Sequence, residues 1–136
     1  MKDSRFIPSG RTRRWLQAAK KTAQKSKSPD YRHGALLIKG NNIINSSYNK
    51  NSFKRWGNRF RHRDCGHATR HAELGCILGQ DRSVTTGATI YVVRIGKKGE
   101  FRMSKPCPMC EAAMRHVGIK KVIYTINDKE VGIRKL

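Results

Sequence analysis

Two short pieces of this sequence carry side chains whose types and spacing suit chemistry: His71-Ala72-Glu73 and Pro106-Cys107-Pro108-Met109-Cys110. Together they offer an imidazole, two thiols at C-x2-C spacing and a carboxylate. Zinc in a catalytic site takes three protein ligands and keeps one position for water, whereas a structural site closes all four. His71, Cys107 and Cys110 supply the open count. Cysteines at that spacing on a helix's first turn can aim both sulfurs at one ion, and the helix N-terminus favours the thiolates that bind it. Glu73 is left for another task. Metal-assisted hydrolysis still needs protons moved between water and substrate, and a carboxylate two residues beyond a ligand can carry them.

The pair H-A-E and P-C-x-x-C, in that order with a strand-like segment between, resembles the cytidine/deoxycytidylate deaminase superfamily, whose zinc enzymes carry H-x-E and P-C-x-x-C. The resemblance implies one catalytic zinc held by His71, Cys107 and Cys110, with Glu73 as general acid/base. It implies hydrolytic deamination, first of cytosine to uracil, by zinc-activated water attacking C4. It also carries Asn49 to the base- or sugar-contacting asparagine at the end of the second strand, where a plain turn residue is the alternative. Further substrate contacts are expected at Ala72 and Lys105, beside the ligands.

Between Asn51 and Arg70 three aromatics, Phe53, Trp56 and Phe60, interleave with six Lys and Arg. Planar side chains stack on bases and guanidinium groups pair with phosphates, so Arg55, Trp56 and Arg59 are candidate substrate contacts in a nucleotide-binding loop. Core burial of at least one of the three aromatics is expected as well. In the same stretch His62, Cys65 and His67 could hold a second zinc. With only three ligands in view, a buried thiol and two solvated histidines is the preferred reading.

These residues need elements to place them. Residues 1–10 read as a basic arm and 11–136 as one domain. Apolar spacing predicts a helix over 11–26 with Trp15 as a core anchor, and a hairpin of strands at 34–39 and 43–48. A helix is expected from His71 to Gly79, then a loop over 80–87. The β-branched run 88–95 reads as a buried central strand, turned by 96–99. A helix over 109–117 ends at Gly118, and strands follow at 119–126 and 130–135. Only ten residues follow Ile126, too few for a parallel crossover, so the last strand must return antiparallel, as in the cytidine deaminase branch. The expected fold class is α/β: a three-layer α/β/α cytidine-deaminase-like fold on a mixed five-stranded sheet, order 2-1-3-4-5, with the two motif helices on one face.

Charge narrows the partner. Thirty Lys and Arg against nine Asp and Glu give a net +21 and a pI near 10.6, a balance that attracts polyanions. Single-stranded nucleic acid is the favoured substrate and a free nucleotide (dCMP, CMP or cytidine) the alternative. Guanine or adenine deamination, or a catalytically silent zinc-stabilised nucleic-acid-binding module, also stay open. No apolar run reaches the ~20 residues of a membrane span, and the four cysteines suit metal in a reducing compartment better than disulfides. A cytoplasmic protein without a membrane partner is expected, with a homo-oligomer left open.

Overall fold

The computed structural model describes residues 3–27, 32–53 and 69–136. Along the chain the elements are β1 (Ser4–Phe6), α1 (Gly10–Ala23), β2 (Arg32–Lys39), β3 (Asn42–Tyr48), β4 (Lys50–Phe53), β5 (Thr69–Arg70), α2 (Ala72–Ile77), α3 (Arg82–Thr85), β6 (Thr89–Ile95), β7 (Phe101–Arg102), α4 (Pro108–His116), β8 (Lys121–Thr125) and β9 (Val131–Lys135). The main sheet runs β1-β9-β8-β6-β2-β3, with β7 paired to β6. The five expected strands stand in the expected order, β3-β2-β6-β8-β9, and β9 is antiparallel to β8. The sheet is larger than expected by β1 and β7. Within the stretch read as an arm, Ser4–Phe6 pairs antiparallel with Val131–Ile133 of β9, because β9 otherwise presents an open row of backbone donors and acceptors.

β2 and β6 are buried on both faces, so their side chains alternate between two cores. Ala35, Leu37, Ile90 and Val92 face the layer that holds α2 and α4. Leu36, Ile38, Tyr91, Val93 and Ile95 face α1. Among the described residues the one parallel step, from β6 to β8, needs a crossover. The chain between them, including α4, supplies it, and this returns the two cysteines to the face that carries His71.

The helix α1 lies against the opposite face, burying Leu16, Ala19 and Ala23, with Trp15 partly buried against the same core. It ends at Ala23, earlier than residue 26. Close approach to β2 is possible because Gly34 has no side chain: a Cβ there would sit 2.3 Å from the Ala19 carbonyl oxygen and 2.6 Å from the Ala23 nitrogen. The helix after His71 also ends early, at Ile77, where Leu78 is already extended. Residues expected as loop contain α3, a single turn capped by the Asp81 side chain, which accepts the Ser83 N–H at 2.8 Å.

Candidate metal centre

Both motifs open helices, and that is what brings their ligands together. His71 is the N-cap of α2 and Cys107 the N-cap of α4, each with extended backbone. Pro108 occupies the first turn of α4, where its missing N–H costs nothing. Cys110 follows on the same turn, and the positive end of α4 favours both thiolates. His71 Nδ1 lies 3.1 Å from Cys110 Sγ and 3.7 Å from Cys107 Sγ, and all three ligand atoms lie within 4.8 Å of one another. Tetrahedral zinc with Zn–N and Zn–S bonds of about 2.05 and 2.3 Å needs N···S separations of about 3.6 Å. The donor set and its spacing fit zinc, and among the described residues it is the one group of three or more His, Cys, Asp or Glu that could hold a metal.

Glu73 sits two residues into α2 and is 5% exposed. Burial pushes its carboxyl above the ordinary carboxylate range, opposed chiefly by the positive charge of His71 beside it. The hydrogen bond to Cys107 raises the His71 imidazole above its usual value, against the effect of burial. A buried carboxyl with raised proton affinity beside a metal-type cluster is suited to holding and releasing protons. Cys76 has no place in the cluster: its thiol donates to the Ala35 carbonyl at 3.2 Å, and burial pushes it far above the ordinary thiol range.

The segment that delivers Cys107 is pinned from below. Ser104, 3% exposed, accepts the Thr125 N–H at 2.8 Å through its hydroxyl, which also lies 2.9 Å from the Val92 carbonyl oxygen. Thr125 Oγ1 donates to the Arg102 carbonyl at 2.7 Å. This buried hydroxyl pair ties β7 and the approach to Cys107 onto the ends of β6 and β8.

A charged network closes the other side. The Tyr124 hydroxyl donates to the Asp3 carboxylate, which also lies 3.6 Å from Lys105 Nζ and 3.7 Å from Arg134 Nε. Arg134 reaches Glu111, the residue after Cys110, at 3.3 Å, and Glu111 also pairs with Arg115 at 2.9 Å. Gly132 makes room for the Tyr124 ring, whose Cζ would lie 2.3 Å from a Cβ at that position. Sequence reasoning missed Asp3, Arg134 and Glu111. The available signal was scarcity: with nine acids among thirty bases, each acid is a candidate hub for several cations.

Of the other candidate contacts, Ala72 is fully buried beside His71. Lys105 is exposed and held by Asp3. Asn49 accepts the His33 N–H on its side-chain oxygen at 2.9 Å and returns its own N–H to the His33 carbonyl at 3.2 Å, closing the hairpin end. Arg55, Trp56 and Arg59, with His62, Cys65 and His67 of the second-zinc reading, lie outside the described residues, as does Phe60; the Phe53 side chain is likewise undescribed. The strands on either side of that stretch, β4 and β5, pair antiparallel with Lys50 opposite Arg70, next to His71.

The family described as the cytidine and deoxycytidylate deaminase zinc-binding region matches residues 10–126. β1 and β9 lie outside that match. No curated protein matches the sequence. Among solved structures, dCMP deaminase from the cyanophage S-TIM5 in apo form is similar at 19% identity and a TM-score of 0.61, over 85% of this chain and 82% of that one. Acinetobacter baumannii RibD is similar in form 1 (19% identity, TM-score 0.55) and form 2 (18%, 0.54). Here the likeness covers 85% of this chain and only 28% of the RibD chain. At these identities the likeness is one of fold.

Proposed function

The chain belongs to the cytidine and deoxycytidylate deaminase family, and on that premise we propose that it hydrolyses cytosine to uracil and ammonia in a single-stranded polynucleotide. The observation that carries the reading is Glu73, a buried carboxyl in the same helix turn as His71 and not needed as a ligand. Zinc, when held by His71, Cys107 and Cys110, supplies the Lewis acidity that activates water. Glu73 takes a proton from the attacking water and passes it to ring N3 as the C4–O bond forms; it then carries the remaining hydroxyl proton to the exocyclic amine, and the C4–N bond breaks to release ammonia and leave the C4 carbonyl.

Residues 11–136 act as the deaminase domain in this proposal, with Asn49 and Ala72 meeting the base or sugar. Lys105, Arg55 and Arg59 meet phosphate, and Trp56 stacks. The polynucleotide is supported by the net charge of +21, far beyond the one or two arginines a single phosphate needs. A cytoplasmic setting suits Cys76, Cys107 and Cys110, which take no part in a disulfide among the described residues. No helix among the described residues is long and apolar enough to cross a membrane. One second reading, a free-nucleotide deaminase, is favoured by the likeness to the cyanophage dCMP deaminase over most of that chain. Side-by-side assays on dCMP, cytidine, guanine and single-stranded DNA and RNA test both. Turnover of polynucleotide cytosine is expected; efficient turnover of dCMP with untouched DNA and RNA would transfer the assignment to the second reading.

A further inference from the structure

The helix α1 breaks the rules by which a surface helix is stabilised. Arg11 and Arg13 stand in its first turn with Arg14 next, the first turn holds no acid, and Ser9 makes no side-chain cap. Cations at that end oppose the helix dipole at a cost of about 0.3–1 kcal/mol each. The pair Arg11/Arg14 stands at i,i+3 spacing, where like charges destabilise. The contrast with α4 lies at the N-terminus: there Glu111 occupies the first turn, while both helices carry cations in the last, Lys20 and Lys21 in α1 and Arg115 and His116 in α4. Among the described residues no ion pair engages a cation of α1.

The cations share one side. Arg11, Arg13, Arg14 and Lys21 are exposed on α1, Arg14 and Lys21 directly opposite Leu16, Ala19 and Ala23 with Arg11 and Arg13 to either side, and Lys25 is exposed just past the helix end. Lys20 lies over the Phe101 ring, 5.6 Å from its centroid, and beside Gly99, which joins the surface to the exposed Lys97 and Lys98 of the β6–β7 turn. The acids on this side are engaged: Glu100 lies 3.8 Å from Arg102, and Asp128 accepts the Phe101 N–H at 2.7 Å.

We propose that the outer face of α1, on the sheet face opposite the metal centre, is a docking surface for the phosphate backbone of single-stranded nucleic acid. It rests on the polynucleotide reading for its partner and adds a second contact that anchors the strand away from the reacting base. A 14-residue helix is about 21 Å long, enough to pass several phosphates. An anionic membrane is the poorer partner, because a helix that binds in the interface needs a free apolar face, and the apolar face of α1 is buried on the sheet.

The test is a variant with Arg13→Gln, Arg14→Gln, Lys21→Gln and Lys25→Gln, titrated with oligothymidylate across a salt series. Glutamine keeps nearly the same helix propensity. The slope of log K against log[salt] should become shallower by about 2–3, at roughly 0.7 per phosphate contact, while the thermal midpoint stays equal or rises as the like charges are removed. An unchanged slope, or binding of the parent to anionic phospholipid vesicles in place of the oligonucleotide, would overturn the inference. Thymine has no amine to lose, so failure of deamination on every base would defeat the proposed function and leave this slope standing.

Discussion

Asp3 and Tyr124 stand 121 residues apart in sequence and share a hydrogen bond, phenol to carboxylate, at the edge of the metal centre. The bond ties the N-terminal segment to β8, and through Lys105 and Arg134 to both ends of the Pro106–Cys110 turn. Burial first, then the Asp3 carboxylate, pushes the Tyr124 phenol up to about 12. The folded state therefore holds this proton more tightly than the unfolded chain does. The stability it contributes is complete below the unperturbed phenol value of about 10 and is lost as pH rises from there to about 12. Tyr124→Phe should cost about 1.5–3 kcal/mol at neutral pH, as expected for a hydrogen bond to a charged group. It should also remove this part of the alkaline decline. Urea unfolding of parent and variant across that pH range checks both; parallel curves would mean the bond contributes nothing.

Ser104→Ala leaves the Thr125 amide without its acceptor in a buried site. A loss of about 1–3 kcal/mol in urea unfolding is expected. A loss within 0.5 kcal/mol, roughly that of an ordinary surface change, would show that the hydroxyl pair does not hold the approach to Cys107.

The metal centre was legible from the sequence because its geometry is local: each motif opens a helix, and helix starts fix where the ligands point. The strand order was legible too, since 88–95 reads as buried on both faces and the Asn127-Asp128 turn signal lets the next strand pair back as a hairpin. β1 was not legible, because Ser-Arg-Phe has no apolar period and becomes a strand only by pairing with β9, a contact between the two ends of the chain. The early end of α2 and the turn α3 are likewise set by packing and by the Asp81 cap. Nothing in residue type alone marks Ser104 as buried, since it sits in a polar run before Pro106.

Gly34→Ala should push α1 off the sheet, since the new carbon would meet backbone atoms of Ala19 and Ala23. Overpacking of that kind costs about 1–3 kcal/mol. A lowered thermal midpoint with the metal content unchanged is expected; an unchanged midpoint would show that α1 yields freely.

Cys107→Ala and Cys110→Ala should each lose zinc and lower stability, because metal bound only by the folded chain adds its binding free energy to folding. Elemental analysis of the parent should find one zinc per chain. A well-folded, undamaged parent without zinc would remove the basis for the site.

The central claim is that Glu73 carries protons and does not hold the metal. Glu73→Gln keeps the shape of the side chain and removes its capacity to take a proton, so the decisive measurement is the deamination rate of this variant with its zinc content determined on the same sample. One zinc per chain, with the rate reduced by about 10²–10⁴-fold on the best substrate, is the expected result. A rate near that of the parent, or a variant that has lost its zinc, would contradict the claim.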